Sequence, residues 1–269
     1  MAHSTPPPTY TGKFSAIYDL FYAHKTYTQE ADFVQSLLTR FGDKPTQKIL
    51  ELGCGTGTHS FLLEAHGHQI LATDLSPDMI QAARVKAEAR GSTVRFAAQD
   101  MIELDQPGRP YDAVVCLFDS FCYVTDNDNV ETVLTRVHQH LKPGGLFIFE
   151  FWNAAAMIQH LDPVRVARLQ HGEDEIVKLS EAKLDYQHQL YQVKYTLYEI
   201  KADAMCHVYT ERHSNRYYQI QEMAYFLDKA SLQPLKWFAG YAEDETITGD
   251  TWNIVCVAQA KTRVPLKTP

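Results

Sequence analysis

Apolar and polar positions follow two periods along the first part of the chain, which predicts a fold of interleaved helices and strands. From residue 14 to 41 the apolar side chains recur at helical spacing, with a break near residues 23–28. Helical patterns at 60–66, 76–90 and 130–141 separate five apolar runs typical of strands: 48–52, 69–74, 94–98, 111–118 and 146–151. Strands that alternate with helices predict a doubly wound, mostly parallel α/β sheet.

The pattern changes after Trp152. Apolar residues Tyr191, Val193, Tyr195 and Leu197 alternate with polar ones, which predicts a strand with one buried face. Several such runs between about 175 and 220 predict an antiparallel insertion. A helix at 221–229 and closing strands at 235–241 and 251–260 are expected to complete the sheet, the last of them antiparallel.

These patterns divide the chain into six expected segments. A disordered tail (1–13) precedes an N-terminal helical lid (14–44), a ligand-binding core (45–152) and a β insertion for substrate or oligomer contacts (153–221). The end of the sheet (222–262) and a second tail (263–269) follow.

Composition narrows the functional class. The chain has 25 basic and 33 acidic side chains, a net charge of −8, so we do not expect a nucleic-acid surface. No apolar run is long enough for a membrane span, and the opening residues lack the pattern of a secretory signal. Five widely spaced cysteines without a C-x-x-C pair predict reduced thiols and no metal site. We therefore expect a cytoplasmic small-molecule enzyme, with a homodimer as an open alternative to the monomer.

The segment after the first strand carries the clearest chemical signal. Gly53, Cys54, Gly55, Thr56 and Gly57 form a glycine turn between a strand and a helix. Such a turn exposes backbone N–H groups to a ligand, and its glycines allow close approach and positive φ.

Acidic residues beside this turn suggest a nucleoside ligand. Glu51 precedes the first glycine by two residues and could hold a ligand ammonium group. Asp74 ends the second strand, where a carboxylate can accept both ribose hydroxyls. Asp100 follows the third strand, where it can meet an adenine amino group. A nicotinamide dehydrogenase or a simple tight turn would be the alternative interpretation of the glycines alone.

The motifs ILELGCGTG, TDLSPDMI, RFAAQDM, YDAVVCLF and LKPGGLFIFE, in this order, resemble those of class I S-adenosylmethionine-dependent methyltransferases over residues 14–152. The resemblance implies a Rossmann-like fold with a seven-stranded sheet and S-adenosylmethionine as cofactor. It implies that further cofactor contacts come from Leu75, Met79, Met101, Leu117 and Phe118.

A finer resemblance is to bacterial N,N-dimethyltransferases of nucleotide-linked amino sugars, of the desosamine and mycaminose type. It is carried by YDLFY at 18–22, GCGTGTH at 53–59, F-x-S-x-x-Y at 118–123 and E-x-W at 150–152. The resemblance implies that Tyr18 and Tyr22 contact the cofactor. It also implies that Tyr22 and Tyr123 lie beside the amine and the methyl group and are catalytic. Glu150 is the third expected catalytic residue.

Substrate contacts are expected from Tyr22, Tyr123, Trp152, Arg212 and His213. Arg212 and Arg216 could pair with a diphosphate, since a guanidinium group matches phosphate bidentately; a solvated strand face is the alternative for each. Here Glu150-Phe-Trp-Asn153 lacks the proline and second tryptophan of the amino-sugar enzymes. An amine needs only to lose its proton, whereas a hydroxyl needs a clearer base, so N-methylation is favoured. Other acceptors (an amino acid, a polyamine, a natural-product hydroxyl) and a non-catalytic cofactor-binding subunit remain alternatives.

Overall fold

The computed structural model describes residues 9–201 and 205–261. In these two ranges the chain forms the following α-helices: α1 (Lys13–Ala16), α2 (Tyr18–Phe21), α3 (Tyr27–Phe41), α4 (Thr58–Ala65), α5 (Pro77–Arg90), α6 (Asn127–His140), α7 (Ala154–Gln159) and α8 (Ile220–Lys229). The described strands are β1 (Lys48–Leu52), β2 (Gln69–Asp74), β3 (Arg95–Ala98), β4 (Tyr111–Cys116), β5 (Leu141–Trp152), β6 (Val164–His171), β7 (Asp174–Asp185), β8 (Leu190–Ile200), β9 (Cys206–Arg216), β10 (Leu232–Ala239) and β11 (Asn253–Ala260).

Seven strands form one core sheet in the order β10-β11-β5-β4-β1-β2-β3. Strands β1 to β5 are parallel, and β11 is antiparallel to both of its neighbours, β5 and β10. Two separate hydrophobic clusters cover the two faces of this sheet. The structure therefore confirms the predicted Rossmann-like sheet with its antiparallel closing strand.

A second, four-stranded sheet holds the antiparallel strands β6 to β9, which confirms the predicted insertion. Its buried residues Ile176 and Leu197 pack against Phe14, Ile17 and Phe21 of the N-terminal helices. The insertion and the N-terminal helices thus share one hydrophobic cluster, separate from the two clusters of the core sheet. In the described ranges, none of the helices combines the length and the apolar character that a membrane crossing requires.

The structure corrects several predicted boundaries. The expected tail 1–13 ends sooner, because Tyr10 packs on Tyr18 and the Gly12 amide donates to Asp78 at 2.7 Å; residues 1–8 lie outside the described ranges, as does the expected tail 263–269. Strand β4 ends at Cys116 and not at residue 118, because Phe118 and Asp119 adopt positive φ. The insertion includes β6, which the alternation did not reveal.

Candidate active site

The main cavity lies at the carboxyl ends of β1, β2 and β4, where parallel α/β sheets bind their ligands. Its volume is about 470 Å³. Its lining includes the glycine turn, the ends of β2 and β3, the N-terminal segment, and β8 and β9 of the insertion. The glycine turn and the aromatic and polar side chains of the insertion thus line one cavity.

The glycine turn has the geometry that its sequence predicts. Gly53, Gly55 and Gly57 all have positive φ. A Cβ on Gly53 would lie 2.4 Å from the Cβ of Ser120, whose hydroxyl donates to the Gly53 carbonyl at 2.9 Å. Only glycine therefore fits at position 53, and the turn is fastened to the loop that follows β4.

Two carboxylates line the nucleoside end of the cavity. Asp74 accepts hydrogen bonds from the backbone amides of Gly55 and Ser76, both at 2.8 Å, so it shapes the turn as well as facing the cavity. Asp100 accepts one hydrogen bond from the Ile102 amide at 2.9 Å through Oδ1. Its buried Oδ2 has no hydrogen-bond partner among the described residues. Burial raises the pKa of both carboxyl groups.

Aromatic rings line the middle of the cavity. The ring of Tyr22 lies 4.8 Å from that of Tyr18 and 5.0 Å from that of Phe118, and Tyr10 makes an edge contact with Tyr18 at 5.1 Å. Ring faces attract a cation, so this set suits a positively charged ligand group. Tyr10 was not predicted, because nothing in the polar, proline-rich opening segment marks it as part of a site.

A hydrogen-bonded chain leads from the cavity into the insertion. The hydroxyl of Tyr123 lies 2.7 Å from Nδ1 of His213, and Nε2 of His213 lies 3.0 Å from the Glu211 carboxylate. The His213 side chain is only 1% exposed and stays behind the cavity surface formed by Tyr123. Among the described residues, Tyr123 thus lies between His213 and the cavity.

The structure corrects the expected position of Glu150. Glu150 is fully buried and does not line the cavity, because its carboxylate is taken up by three donors. The Tyr241 hydroxyl and the Asn253 amide bind it, and the Phe118 backbone amide donates to it at 3.3 Å. The carboxyl group that faces the cavity here is Asp119, whose Oδ1 accepts from Asn253 Nδ2 at 3.3 Å.

The two arginines of β9 have different surroundings. Arg212 is exposed at the cavity and lines it. Arg216 is buried, and its guanidinium pairs with Glu222 at 2.6 Å. Of the two, only Arg212 is placed to meet a substrate anion.

Thirteen of the predicted site residues line the main cavity: Tyr18, Tyr22, Gly53, Gly55, Asp74, Leu75, Met79, Asp100, Met101, Phe118, Tyr123, Trp152 and Arg212. Seven do not: Glu51, Cys54, Thr56, Gly57, Leu117, Glu150 and His213. Cys54, Thr56 and Leu117 line a small neighbouring pocket behind the glycine turn. Glu51 is buried and accepts from the Ser60 hydroxyl, so it faces the helix after the turn.

The prediction missed residues that no local motif marks. Tyr195, Ser214 and Asn215 reach the cavity from the insertion, and Asp119 and Ser120 reach it from the loop after β4. The last two lie inside the predicted F-x-S-x-x-Y motif, so the signal was present but was assigned only to its aromatic positions.

Comparison with known proteins agrees with this geometry. Residues 49–145 match the family model described as a methyltransferase domain. A dTDP-3-amino-3,6-dideoxy-alpha-D-glucopyranose N,N-dimethyltransferase from Streptomyces fradiae is 30% identical over 158 residues, which cover 56% of this chain and 60% of that protein. A dTDP-4-amino-2,3,4,6-tetradeoxy-D-glucose N,N-dimethyltransferase from Saccharopolyspora spinosa is 29% identical over 71% of this chain and 74% of that protein.

Among solved structures, an S-adenosylmethionine-dependent methyltransferase from Clostridium acetobutylicum superposes with a TM-score of 0.81 at 25% identity, covering 93% of this chain and 98% of that one. Against three curated relatives the matched region covers 53%, 55% and 60% of their lengths, so the chain spans little more than half of those proteins.

Residues 49–145 thus match a methyltransferase domain, and they lie in a fold of the class I methyltransferase type, as the motifs predicted. The predicted resemblance to amino-sugar N,N-dimethyltransferases is likewise confirmed by the relatives found.

The residues of the cavity fit S-adenosylmethionine. The unpartnered Asp100 Oδ2 offers an acceptor to an adenine amino group, and the glycine turn leaves room where a side chain would intrude. The rings of Tyr18, Tyr22 and Phe118 suit a sulfonium cation. Carboxylates that accept hydrogen bonds, backbone amides that donate them and aromatic faces that attract a cation together match the polar groups of this cofactor.

Proposed function

We propose that this protein transfers methyl groups from S-adenosylmethionine to the amine of a small molecule, and that the acceptor is a nucleotide-linked amino sugar. The observation that supports this most strongly is the continuity of the cavity. It places the hydroxyl of Tyr123, held by His213 at 2.7 Å, in the same space as the glycine turn. A small acceptor beside Tyr123 would thus share one cavity with the methyl donor and could be oriented toward its methyl group.

S-adenosylmethionine supplies an electrophilic methyl group on a sulfonium sulfur. The chain's own residues bind and orient the two reactants. Asp74 and Asp100 hold the nucleoside, and Tyr18 and Tyr22 face the sulfonium charge. The Tyr123 hydroxyl donates a hydrogen bond to His213 Nδ1, and its oxygen lone pair remains an acceptor for an N–H of the substrate. This arrangement turns the nitrogen lone pair toward the methyl group.

The state of Tyr123 favours an amine over a hydroxyl acceptor. Burial raises the pKa of Tyr123, so the phenol stays neutral and orients the acceptor without removing a proton from a hydroxyl. An amine is nucleophilic once it is deprotonated and needs orientation more than a strong base.

The nucleotide-linked form of the acceptor is supported by the relatives and by Arg212. The Streptomyces fradiae relative is named for a dTDP-linked amino sugar. Arg212, exposed at the cavity, could form a bidentate pair with a diphosphate. Arg216 is excluded from this role by its pair with Glu222.

The test is a transfer assay with methyl-labelled S-adenosylmethionine and three acceptor sets: dTDP-linked amino sugars, free amino acids and polyamines, and hydroxylated natural products. Transfer to the first set with N-methylated products supports the proposal. Transfer to one of the other sets alone would contradict an amino-sugar acceptor and identify a different acceptor class. Cofactor binding by calorimetry without transfer to any set would indicate a non-catalytic subunit.

We further propose the expected division of labour: α1 and α2 as a lid over the cofactor, and the insertion as the substrate-selecting part. Thr56 of the glycine turn donates to Asp19 of α2 at 2.6 Å, which ties the lid to the turn. The exposed side chains of Val164, Val166 and Val208 support the insertion as the contact surface of a homodimer. The acidic composition supports a small-molecule acceptor and not nucleic acid. Light scattering after size exclusion measures the assembly, and a constant monomer mass would exclude the dimer.

A further inference from the structure

Asp119 is the carboxyl group of the active-site cavity that the motifs do not assign to either reactant. It follows Phe118, whose ring contacts Tyr22 at 5.0 Å, so it lies next to the aromatic set that suits the sulfonium group. Its backbone is left-handed, with φ of 59°. Although Asp119 is the N-cap of the short 3-10 helix Ser120–Tyr123, its side chain forms no capping hydrogen bond. The carboxyl group is therefore free of the structural role that aspartate usually has at such a position.

A buried support holds Asp119 from behind. Asn253 Nδ2 donates to Asp119 Oδ1 at 3.3 Å and also binds the Glu150 carboxylate. Glu150 in turn accepts from Tyr241 and from the Phe118 amide. Two carboxyl groups thus share one amide donor, with Asp119 toward the cavity and Glu150 behind it. In a pair of this kind, the charge of one carboxylate raises the pKa of the other.

From this geometry we infer that Asp119 is the residue that binds the substrate as an ammonium ion and accepts its proton before methyl transfer. The inference rests on the proposed function and deepens it: the substrate class is an amine that enters in its cationic form. The proton passes from the ammonium nitrogen to a carboxylate oxygen of Asp119, which leaves a neutral amine. The nitrogen lone pair then forms the N–C bond while the C–S bond breaks and its electron pair goes to sulfur.

The electrostatics agree with this role. Burial raises the pKa of Asp119 well above its usual value, and the charge of Glu150 raises it further. A general base works best when its pKa is near the working pH, so a raised carboxyl pKa is an advantage here. The other titratable groups that interact with Asp119 are the cation of Lys25, which lowers its pKa, and Tyr22, Tyr241, Cys116 and Cys122.

The test substitutes Asp119→Asn, which keeps the shape of the side chain and suits a left-handed backbone. The assay uses S-adenosylmethionine with the dTDP-linked 3-amino-3,6-dideoxyglucose for which the Streptomyces fradiae relative is named. We expect kcat at neutral pH to fall by about 10²-fold or more, the scale of a lost general base. Activity should return at alkaline pH, where the amine is already neutral. The exposed Asp128→Asn is the control for loss of one charge and should retain full activity.

A second variant, Glu150→Gln, tests the pair independently of the first. Removal of the Glu150 charge lowers the pKa of Asp119, so the acidic limb of the kcat profile should move to lower pH. The same shift should be seen for the Asp119 carboxyl carbon in a ¹³C NMR titration of the protein without acceptor. That titration remains a test if Asp119→Asn fails to bind S-adenosylhomocysteine or to fold.

The outcomes separate the inference from the function on which it rests. Methyl transfer by the wild type, with loss in Asp119→Asn and recovery at alkaline pH, supports both. Transfer by the wild type that Asp119→Asn retains, or whose loss alkaline pH does not relieve, overturns the inference alone. An Asp119 carboxyl that titrates in its ordinary range and does not respond to Glu150→Gln also overturns it. No transfer to any amine by the wild type overturns the proposed function, and the inference with it.

Discussion

The hydroxyl of Tyr123, on the loop after β4, lies 2.7 Å from Nδ1 of His213 on β9. These two residues are far apart in the chain, and they join the cofactor-binding core to the insertion at the point where the acceptor would bind. His213 is fixed from its other side by Glu211 at 3.0 Å and by the ring of Tyr10 at 4.7 Å. The orientation of one cavity hydroxyl thus depends on the core, the insertion and the N-terminal segment together.

If His213 orients Tyr123, then His213→Gln and Tyr123→Phe should have similar effects that are not additive. We expect each to lower kcat by about 10-fold or more, the scale of one hydrogen bond used in the transition state, with little change in cofactor affinity. Kinetics of the single and double variants make this measurement. Fully additive losses would show that the two residues act separately. The exposed His207→Gln on the same strand is the control.

A side chain at Gly53 should have two separate effects, backbone strain and a steric collision. Gly91 serves as a control that has the strain alone. Both glycines have φ near 65°, but a Cβ on Gly91 would meet nothing within 4 Å. We expect Gly91→Ala to cost about 1 kcal/mol in the free energy of unfolding, from backbone strain alone. Gly53→Ala adds the collision with Ser120 and should also abolish binding of S-adenosylhomocysteine in calorimetry. Equal cofactor affinity in the two variants would contradict the importance of the close contact between Gly53 and Ser120.

Asp100→Asn should weaken the cofactor without unfolding the protein. Asp100 lines the cavity, and its buried Oδ2 has no partner among the described residues, whereas Oδ1 accepts from the Ile102 amide. An amide NH₂ at the Oδ2 position would oppose an adenine amino group, at a cost of about 1–2 kcal/mol or roughly 5- to 30-fold in Kd. The measurement is the Kd of S-adenosylhomocysteine, with the exposed Asp105→Asn as control. An unchanged Kd would place the adenine elsewhere.

The partly buried amine of Lys178 should make the stability of the folded protein depend on pH. Its amine lies 4.3 Å from the centre of the Phe21 ring, and burial lowers its pKa to about 8. Because the unfolded chain keeps a higher pKa, the folded state binds fewer protons between those two pKa values, and stability rises with pH there. Lys178→Met should therefore be more stable at pH 7, with an advantage that shrinks by about 1 kcal/mol at pH 9. Urea unfolding at both pH values tests this; a pH-independent difference would contradict it.

The strand and helix pattern predicted the core sheet well, because parallel strands and amphipathic helices leave strong local signals. Ser76 is an example: it opens the predicted helical segment 76–90, and in the structure its side chain caps α5 by accepting from the Met79 amide. The glycine turn, Asp74 and Asp100 were predicted for the same reason, since their roles depend on neighbours in the chain.

The substrate end could not be predicted in the same way. Tyr10 and Tyr195 reach the cavity only because the N-terminal helices pack on the insertion, a contact between segments distant in sequence. Glu150 was expected to touch the substrate, yet Tyr241 and Asn253 from the end of the chain enclose it and leave Asp119 in front. Such long-range packing has no periodic signature.

The proposed N-methylation is tested most directly by mass spectrometry of the dTDP-linked 3-amino sugar after incubation with the wild-type protein and S-adenosylmethionine. We expect a product with one or two methyl groups on the amine nitrogen, formed together with S-adenosylhomocysteine. An unmodified sugar, with the protein shown by calorimetry to bind the cofactor, would contradict it.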